Sequence, residues 1–332
     1  TMGKLIKLDV LIVGMRGLGV ETAKNLILAG PHRVDVWDNE TVNIRDLGAN
    51  FYLTEADVDK KTRGQATYEK LRELNNYVKV DLATGDLGMD LFSKYHVVVF
   101  TEIHTNINDV IEWNKQMRAK KISTILTQTM GLYGYVFCDF GDDFKIHDPD
   151  GERTNNFVIS EIEKEVNAED PTKSHLVVFV HEDKRHTFSD DSYVSFREVQ
   201  GMTQLNGHEP VKISVNDGYS FKVHIDPSKL SDYTGGGIVE DVKVPLPHRF
   251  QSLEQAILTP LATTRDGMFY VYDFAAFERP GHLHIGWQAV QQFRVKHQRW
   301  PADNVMDVQE AISIAEEVNN SLKTNENAFK LE

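Results

Sequence analysis

The sequence predicts an α/β protein, built on a Rossmann-like, mostly parallel sheet that carries an inserted small β-barrel and ends in a helical bundle. Three observations predict it. Val10-Leu-Ile-Val-Gly14-Met-Arg-Gly17-Leu-Gly19 leads into an amphipathic stretch and then Arg33-Val-Asp-Val-Trp-Asp38, which is strand, glycine turn, helix and a second strand ending in an acid. Beyond Asp148-Pro-Asp-Gly151 the pattern changes to short strands punctuated by Asn206-Gly, Asn216-Asp-Gly and Gly235-Gly-Gly237, which predicts a barrel or sandwich. From Ser252 onwards apolar residues recur at helical steps. The implied domains are 1–148, 149–247 and 248–332.

After Asp38 a polar loop carries Phe51, Tyr52 and Leu53 together. Helical spacing of Ala66, Tyr68, Leu71 and Leu74 predicts a helix over 62–75, and 78–82 alternates as a short strand. The run Tyr95-His-Val-Val-Val-Phe100 suits a central strand covered on both faces. A helix over 106–120 and a strand over 122–126 follow, so the strands should be parallel with right-handed crossovers. The strand over 131–140 has no helix after it, which places it antiparallel at an edge. In the middle segment the candidate strands are 157–162, 176–180, 193–196, 211–215, 219–225 and 238–244, with 164–173 as a long surface loop. The last third predicts helices over 253–258 and 272–277, a stripe of Leu283, Trp287, Val290, Phe293 and His297, and a second stripe of Val308, Ile312, Ala315, Val318 and Leu322.

Composition limits the function classes. The chain has 332 residues, 41% hydrophobic and 26% charged, enough for two or three cores. No apolar run approaches the ~18 residues that span a bilayer. Thirty-six basic against 50 acidic residues give a net charge of −14, which argues against nucleic acid or an anionic membrane as partner. The single cysteine, Cys138, rules out a disulfide framework and suits a reducing compartment. Between Phe137 and Asp139 it reads as a small core hydrophobe rather than a nucleophile. The start at Thr1-Met2, almost directly on a core strand and with no leader pattern, is what a cut fragment would show.

The opening turn carries a discrepancy. A dinucleotide turn wants G-x-G-x-x-G, whereas the glycines here are Gly14, Gly17 and Gly19, with Arg16 where the main chain should approach a pyrophosphate. Gly14, Gly17, Gly19 and Asp38 are therefore the candidate cofactor-binding residues of a degenerate nucleotide site. The competing structural reading is a tight turn with close helix-to-strand packing, Asp38 as a helix or loop cap and Arg16 as a solvated side chain. No catalytic or metal-binding residue is nominated. His175, His181, His186, His208 and His224 lack ligand spacing for a metal.

Longer motifs carry a family resemblance. Gly14-x-x-Gly-Leu-Gly-Val-Glu-x-Ala-Lys-Asn-Leu-Ile-Leu-Ala-Gly30, Asp46-Leu-Gly-Ala-Asn-Phe-Tyr-Leu-Thr-Glu-x-Asp57, Leu74-Asn-Asn-Tyr-Val78, Phe137-Cys-Asp-Phe-Gly-Asp-Asp-Phe144 and Arg197-Glu-Val-Gln-Gly-Met-Thr-Gln-Leu-Asn-Gly207 occur in that order. Together they resemble the N-terminal part of the ubiquitin-activating enzymes, whose sheet is of the ThiF adenylating type. The resemblance implies an inactive adenylation half, then the first catalytic cysteine half-domain, which has no cysteine here, and then a four-helix bundle. It implies that ATP and magnesium belong to the other, active half, with no cofactor in this fragment and the thioester cysteine in a later domain. It implies as partners that active half, ubiquitin, for which the barrel forms one wall of a canyon, and indirectly the ubiquitin-conjugating enzymes, in cytoplasm and nucleus.

Departures from the active pattern of that family support an inactive half. Ala49 stands where an arginine would meet the nucleotide phosphates, and Thr101, followed by Glu102, where an aspartate would hold magnesium. In Asp59-Lys60-Lys61-Thr62-Arg63 a one-residue length difference leaves both Thr62 and Arg63 as candidates for a lysine position. Adenylation needs a preorganised cation set, so these losses together should abolish it. Two alternatives remain: a subunit or fragment of an activating enzyme for another ubiquitin-like protein, and an NAD-binding oxidoreductase domain, since Asp38 lies 19 residues after Gly19.

Overall fold

The computed structural model describes residues 2–166, 174–258 and 282–329. They form two compact units, one of residues 1–144 and 248–332 and one of residues 145–247. The first unit begins with α1 (Met2–Leu5), β1 (Asp9–Val13), α2 (Gly17–Ala29), β2 (Arg33–Trp37), α3 (Arg63–Arg72), α4 (Met89–Phe92), β3 (Val97–Phe100), α5 (Ile107–Ala119), β4 (Ser123–Met130) and β5 (Tyr133–Asp139). Its sheet has the order β2-β1-β3-β4-β5, parallel except for β5, which runs antiparallel at the edge. The continuous apolar runs are explained by burial on both faces: Leu11, Val13, Val98 and Phe100 point into one core with Phe92, Val110 and Met117. Val10, Ile12 and Val99 point into the other with Val20, Ala23, Ile27 and Leu71.

The helix ends follow from local chemistry. Asn106 caps α5 by accepting from the amides of Asn108 (2.9 Å) and Asp109 (3.2 Å). Gly30 closes α2 in the left-handed region at φ 84°, its N–H bonded to Ile27 O. Residues 78–82 are not a strand. They lie along the outer side of β2 through bonds such as Val34 N to Lys79 O (2.9 Å), but make only isolated bridges, having one neighbour and no second ladder to hold them straight.

The second unit is a closed barrel of order β10-β11-β8-β7-β12-β9, comprising β7 (Asn156–Glu165), β8 (His175–Val180), β9 (Tyr193–Gln200), β10 (Val211–Val215), β11 (Ser220–Val223) and β12 (Gly235–Val242). The strands that lead out and back, β6 (Phe144–Ile146) and β13 (Leu246–His248), pair with each other. The barrel core includes Phe157, Ile159, Val178, Phe196, Ile213, Phe221 and Val239. β7 extends through Glu165, so the expected loop from 164 begins later, and its remainder at 167–173 lies outside the described residues.

Three further helices belong to the first unit: α6 (Leu253–Leu258), α7 (His282–His297) and α8 (Val305–Phe329). The helix expected at 272–277 lies outside the described residues, as does the side chain of Leu322. Of the expected stripes Trp287 and Phe293 on α7 and Ala315 and Val318 on α8 pack inward as expected, while other positions are shifted. On α7, Leu283 is exposed, while Trp287 packs on the sheet and Ile285, Ala289 and Phe293 face α8. On α8, Val308 and Ile312 are exposed and Ile314 and Val318 take the buried positions. The reason is that α7 serves two neighbours on two faces, whereas α8 meets α7 with one. Trp287 donates to Gln128 Oε1 at 2.9 Å and stacks on Tyr135 at 3.9 Å, tying α7 to β4 and β5. No helix among the described residues is long and apolar enough to cross a membrane.

Candidate functional site

The glycine turn leaves β1 at Gly14, whose φ of +100° suits glycine. A Cβ at Gly14 would lie 2.8 Å from Thr101 Oγ1, and one at Gly19 would lie 1.9 Å from Gly14 O. Gly17 is less constrained, 3.1 Å from Ala49 O. The glycines thus let α2 close directly on the end of β1. Thr101 completes the turn, its hydroxyl shared between Val13 O (3.0 Å) and Gly14 O (2.9 Å).

Asp38 is buried at the end of β2. Its carboxylate accepts from Met15 N–H at 2.7 Å and Glu40 N–H at 3.0 Å, and so caps both the glycine turn and its own loop. It also accepts from Arg63 Nε at 2.8 Å. Arg63 is 1% exposed at the first position of α3, where Thr62 caps the helix reciprocally with Gln65. Its guanidinium reaches Glu102 at 3.3 Å and Asp46 at 3.5 Å. Gly64 permits this placement, because a Cβ there would lie 2.7 Å from Asp38 O. Of the two candidates left by the sequence, Arg63 is the one that enters the site, and Thr62 is the cap.

Arg16 is half exposed but not merely solvated, as its sequence context suggested. It pairs with Glu102 at 3.0 Å and Asp46 at 3.6 Å. Three acids therefore enclose Arg63, and two of them also hold Arg16. Burial pushes Glu102 up to about 6 against the pull of Arg16 and Arg63. Burial opposes the Arg63 charge, but Asp38 outweighs it and Arg63 titrates above its ordinary value.

Arg16, Arg63 and Glu102, with Glu40 and Thr101, line a cleft of about 360 Å³ together with Gly17, Leu18, Ala49, Ile103, His104, Gln128, Thr129, Arg294 and Trp300. Asp38, Glu102 and His104 place ligand atoms within 4.8 Å of one another, a grouping the sequence reading did not single out because His104 lies beyond every motif. Arg294, from α7, was missed for the same reason: nothing in the sequence brings a helix 190 residues downstream to this cleft. Cys138 is half buried on β5 with burial raising its thiol pKa, while its neighbours Phe137 and Asp139 take the fully buried positions.

Three family models match the chain in succession: the ThiF family over residues 1–138, the ubiquitin-activating enzyme E1 FCCH domain over 173–243 and the E1 four-helix bundle over 244–319. Each model covers less than half of the chain, and the three together fit a fragment of a ubiquitin-activating enzyme E1. Among relatives, it is 40% identical over 325 residues to "Ubiquitin-activating enzyme E1 1" of Triticum aestivum, covering 97% of this chain and 29% of that protein. It is 40% identical over 319 residues to "Ubiquitin-like modifier-activating enzyme 1" of Homo sapiens, covering 96% of this chain and 28% of that protein. The rabbit (Oryctolagus cuniculus) protein of the same name is 39% identical over 319 residues, covering the same shares. The chain thus spans less than a third of the length of these E1 relatives, and the order of its matches fits the N-terminal region of an E1. Neither the oxidoreductase nor the other-modifier alternative is favoured by these matches.

Proposed function

We propose that this chain is the non-catalytic scaffold region of an ATP-dependent ubiquitin-activating enzyme. In this reading it supports an active adenylation half elsewhere in the polypeptide and helps to hold ubiquitin for adenylation and thioester formation. The observation that carries the inactive assignment is the internal satisfaction of Asp38. In a working nucleotide site that carboxylate would be free to meet a ribose, whereas here Arg63 and two amides occupy it. Ala49 offers no cation to phosphates, and Thr101 spends its hydroxyl on the turn carbonyls. Glu102, the nearest acid to a metal position, is tied to Arg16 and Arg63. This set does not fit a magnesium triphosphate. ATP and magnesium belong, on this reading, to the other half. The net charge of −14 suits protein partners, ubiquitin and its conjugating enzymes, rather than nucleic acid or membrane, in the cytoplasm and nucleus.

The test is calorimetry with ATP and magnesium together with pyrophosphate exchange in the presence of ubiquitin. The chain should show no micromolar nucleotide site and no exchange by itself. Mixing it with the remainder of the enzyme should restore ubiquitin thioester formation. Exchange by the chain alone would sink the proposal.

A further inference from the structure

The turn between β9 and β10 contains Asn206-Gly207, the chain's one Asn-Gly pair. The Asn206 carboxamide takes the place of a strand partner: its Oδ1 accepts from Val199 N–H and its Nδ2 donates to Val199 O, both at 2.9 Å. Val199 needs that partner. It is 2% exposed and follows Glu198, whose φ of 61° is irregular for a strand. Left without a partner, its buried N–H and C=O would each carry a desolvation cost. Main-chain bonds from Asn206 N to Thr203 O (3.0 Å) and from His208 N to Leu205 O (3.2 Å) close the turn, with Met202 and Leu205 in the barrel core.

The same pair is chemically labile. Gly207, at φ +74°, has no side chain to shield its nitrogen, and both residues are exposed, so water reaches them. Once the carboxamide swings away from Val199, the Gly207 nitrogen can bond to Asn206 Cγ as the Cγ–Nδ2 bond breaks. The Gly207 proton leaves with Nδ2 as ammonia, and a cyclic imide remains. Water then opens either imide carbonyl, giving aspartate or isoaspartate. Water is the only co-reactant. In the closed barrel the two bonds to Val199 hold Cγ away from this attack.

We propose that Asn206 is a conformation-gated deamidation site, intact while its turn is closed on Val199 and converted when the turn opens. Conversion changes the barrel. A carboxylate only accepts, so one oxygen can keep the Val199 N–H while the other faces Val199 O, acceptor against acceptor. In isoaspartate the main chain runs through the side-chain carbon, which lengthens the turn by that carbon. Both products weaken closure, so a chain that has reacted opens more often. The proposal goes beyond the scaffold reading, because it concerns the covalent state of the barrel, and neither falls with the other.

The test follows the peptide containing Asn206 by mass spectrometry after proteolysis, reading the mass gain of amide-to-acid conversion, with the full chain held at pH 7.5 in buffer or in urea that unfolds the barrel. Conversion should be at least about a hundredfold faster in urea, the population factor of an opening that costs about 3 kcal/mol. Phe221→Ala, which loosens the barrel core, should speed conversion in buffer, whereas Arg63→Met in the other unit should not. Asn206→Asp should still fold by circular dichroism but lower the urea midpoint of the barrel transition. Conversion as fast in buffer as in urea would remove the gate. No conversion at Asn206 in urea would remove the site, and an Asn206→Asp barrel as stable as the parent would show that the carboxamide does not close it.

Discussion

A buried carboxylate needs a partner, and at the end of β2 that partner is Arg63, 2% exposed at its side chain and 2.8 Å from Asp38. The residue is legible in the sequence only as half of an ambiguity with Thr62, because spacing alone does not say which of two neighbours starts a helix and which caps it. The capping pair Thr62 and Gln65 decides it, turning Arg63 back toward Asp38. Replacing Arg63 with methionine keeps most of the volume but leaves Asp38 with two amides and no cation. The variant should lose roughly 3 kcal/mol, toward the lower end for a broken buried pair because those amides remain. Asp38→Asn added to Arg63→Met removes the uncompensated charge and should recover part of the loss at pH 7.5. Urea unfolding at pH 7.5 checks both; a single variant as stable as the parent would show that the pair is not what holds the turn.

The elements themselves were the most legible level, since β1, α2, β2, β3, α5 and the barrel strands each have a period and a boundary residue that local chemistry fixes. What the pattern could not give was the phase of α7 and α8. Leu283, Val308 and Ile312 fit a helical stripe as well as Ile285 and Ile314 do, and only the positions of the neighbours choose between them. The irregular glycines are the reverse case: the spacing that fails as a dinucleotide fingerprint is explained by contact. Gly19→Ala would set a methyl 1.9 Å from Gly14 O, a backbone atom that cannot swing aside. It should cost at least about 3 kcal/mol or prevent folding of the sheet unit. Gly30→Ala meets nothing within 4 Å and suffers only its left-handed backbone, so about 1 kcal/mol is expected there. Thermal melts of the two variants side by side measure the difference, and equal losses would mean that conformation rather than close packing keeps Gly19.

At the scale of the whole molecule the two units keep separate hydrophobic cores, one built on the two faces of the sheet and extended by the helices, the other inside the barrel. The change at Asp148-Pro-Asp-Gly151 was legible because it alters the period of the sequence. The return of α6 to α8 to the sheet unit was not, since it depends on contacts such as Trp287 on Tyr135 and Leu253 N–H on Asn114 Oδ1 at 2.9 Å, which join segments more than 130 residues apart. Separate cores predict separate cooperative transitions. Phe221 is fully buried among Phe157, Phe188 and His186 in the barrel, so Phe221→Ala should lower one calorimetric transition by the ~3–5 kcal/mol of an aromatic cavity and leave the other in place. Arg63→Met should do the opposite, moving the transition that Phe221→Ala spares. If both substitutions shift one common transition by similar amounts, the two cores unfold together, and the barrel is then a cooperative part of the scaffold rather than a module inserted into it.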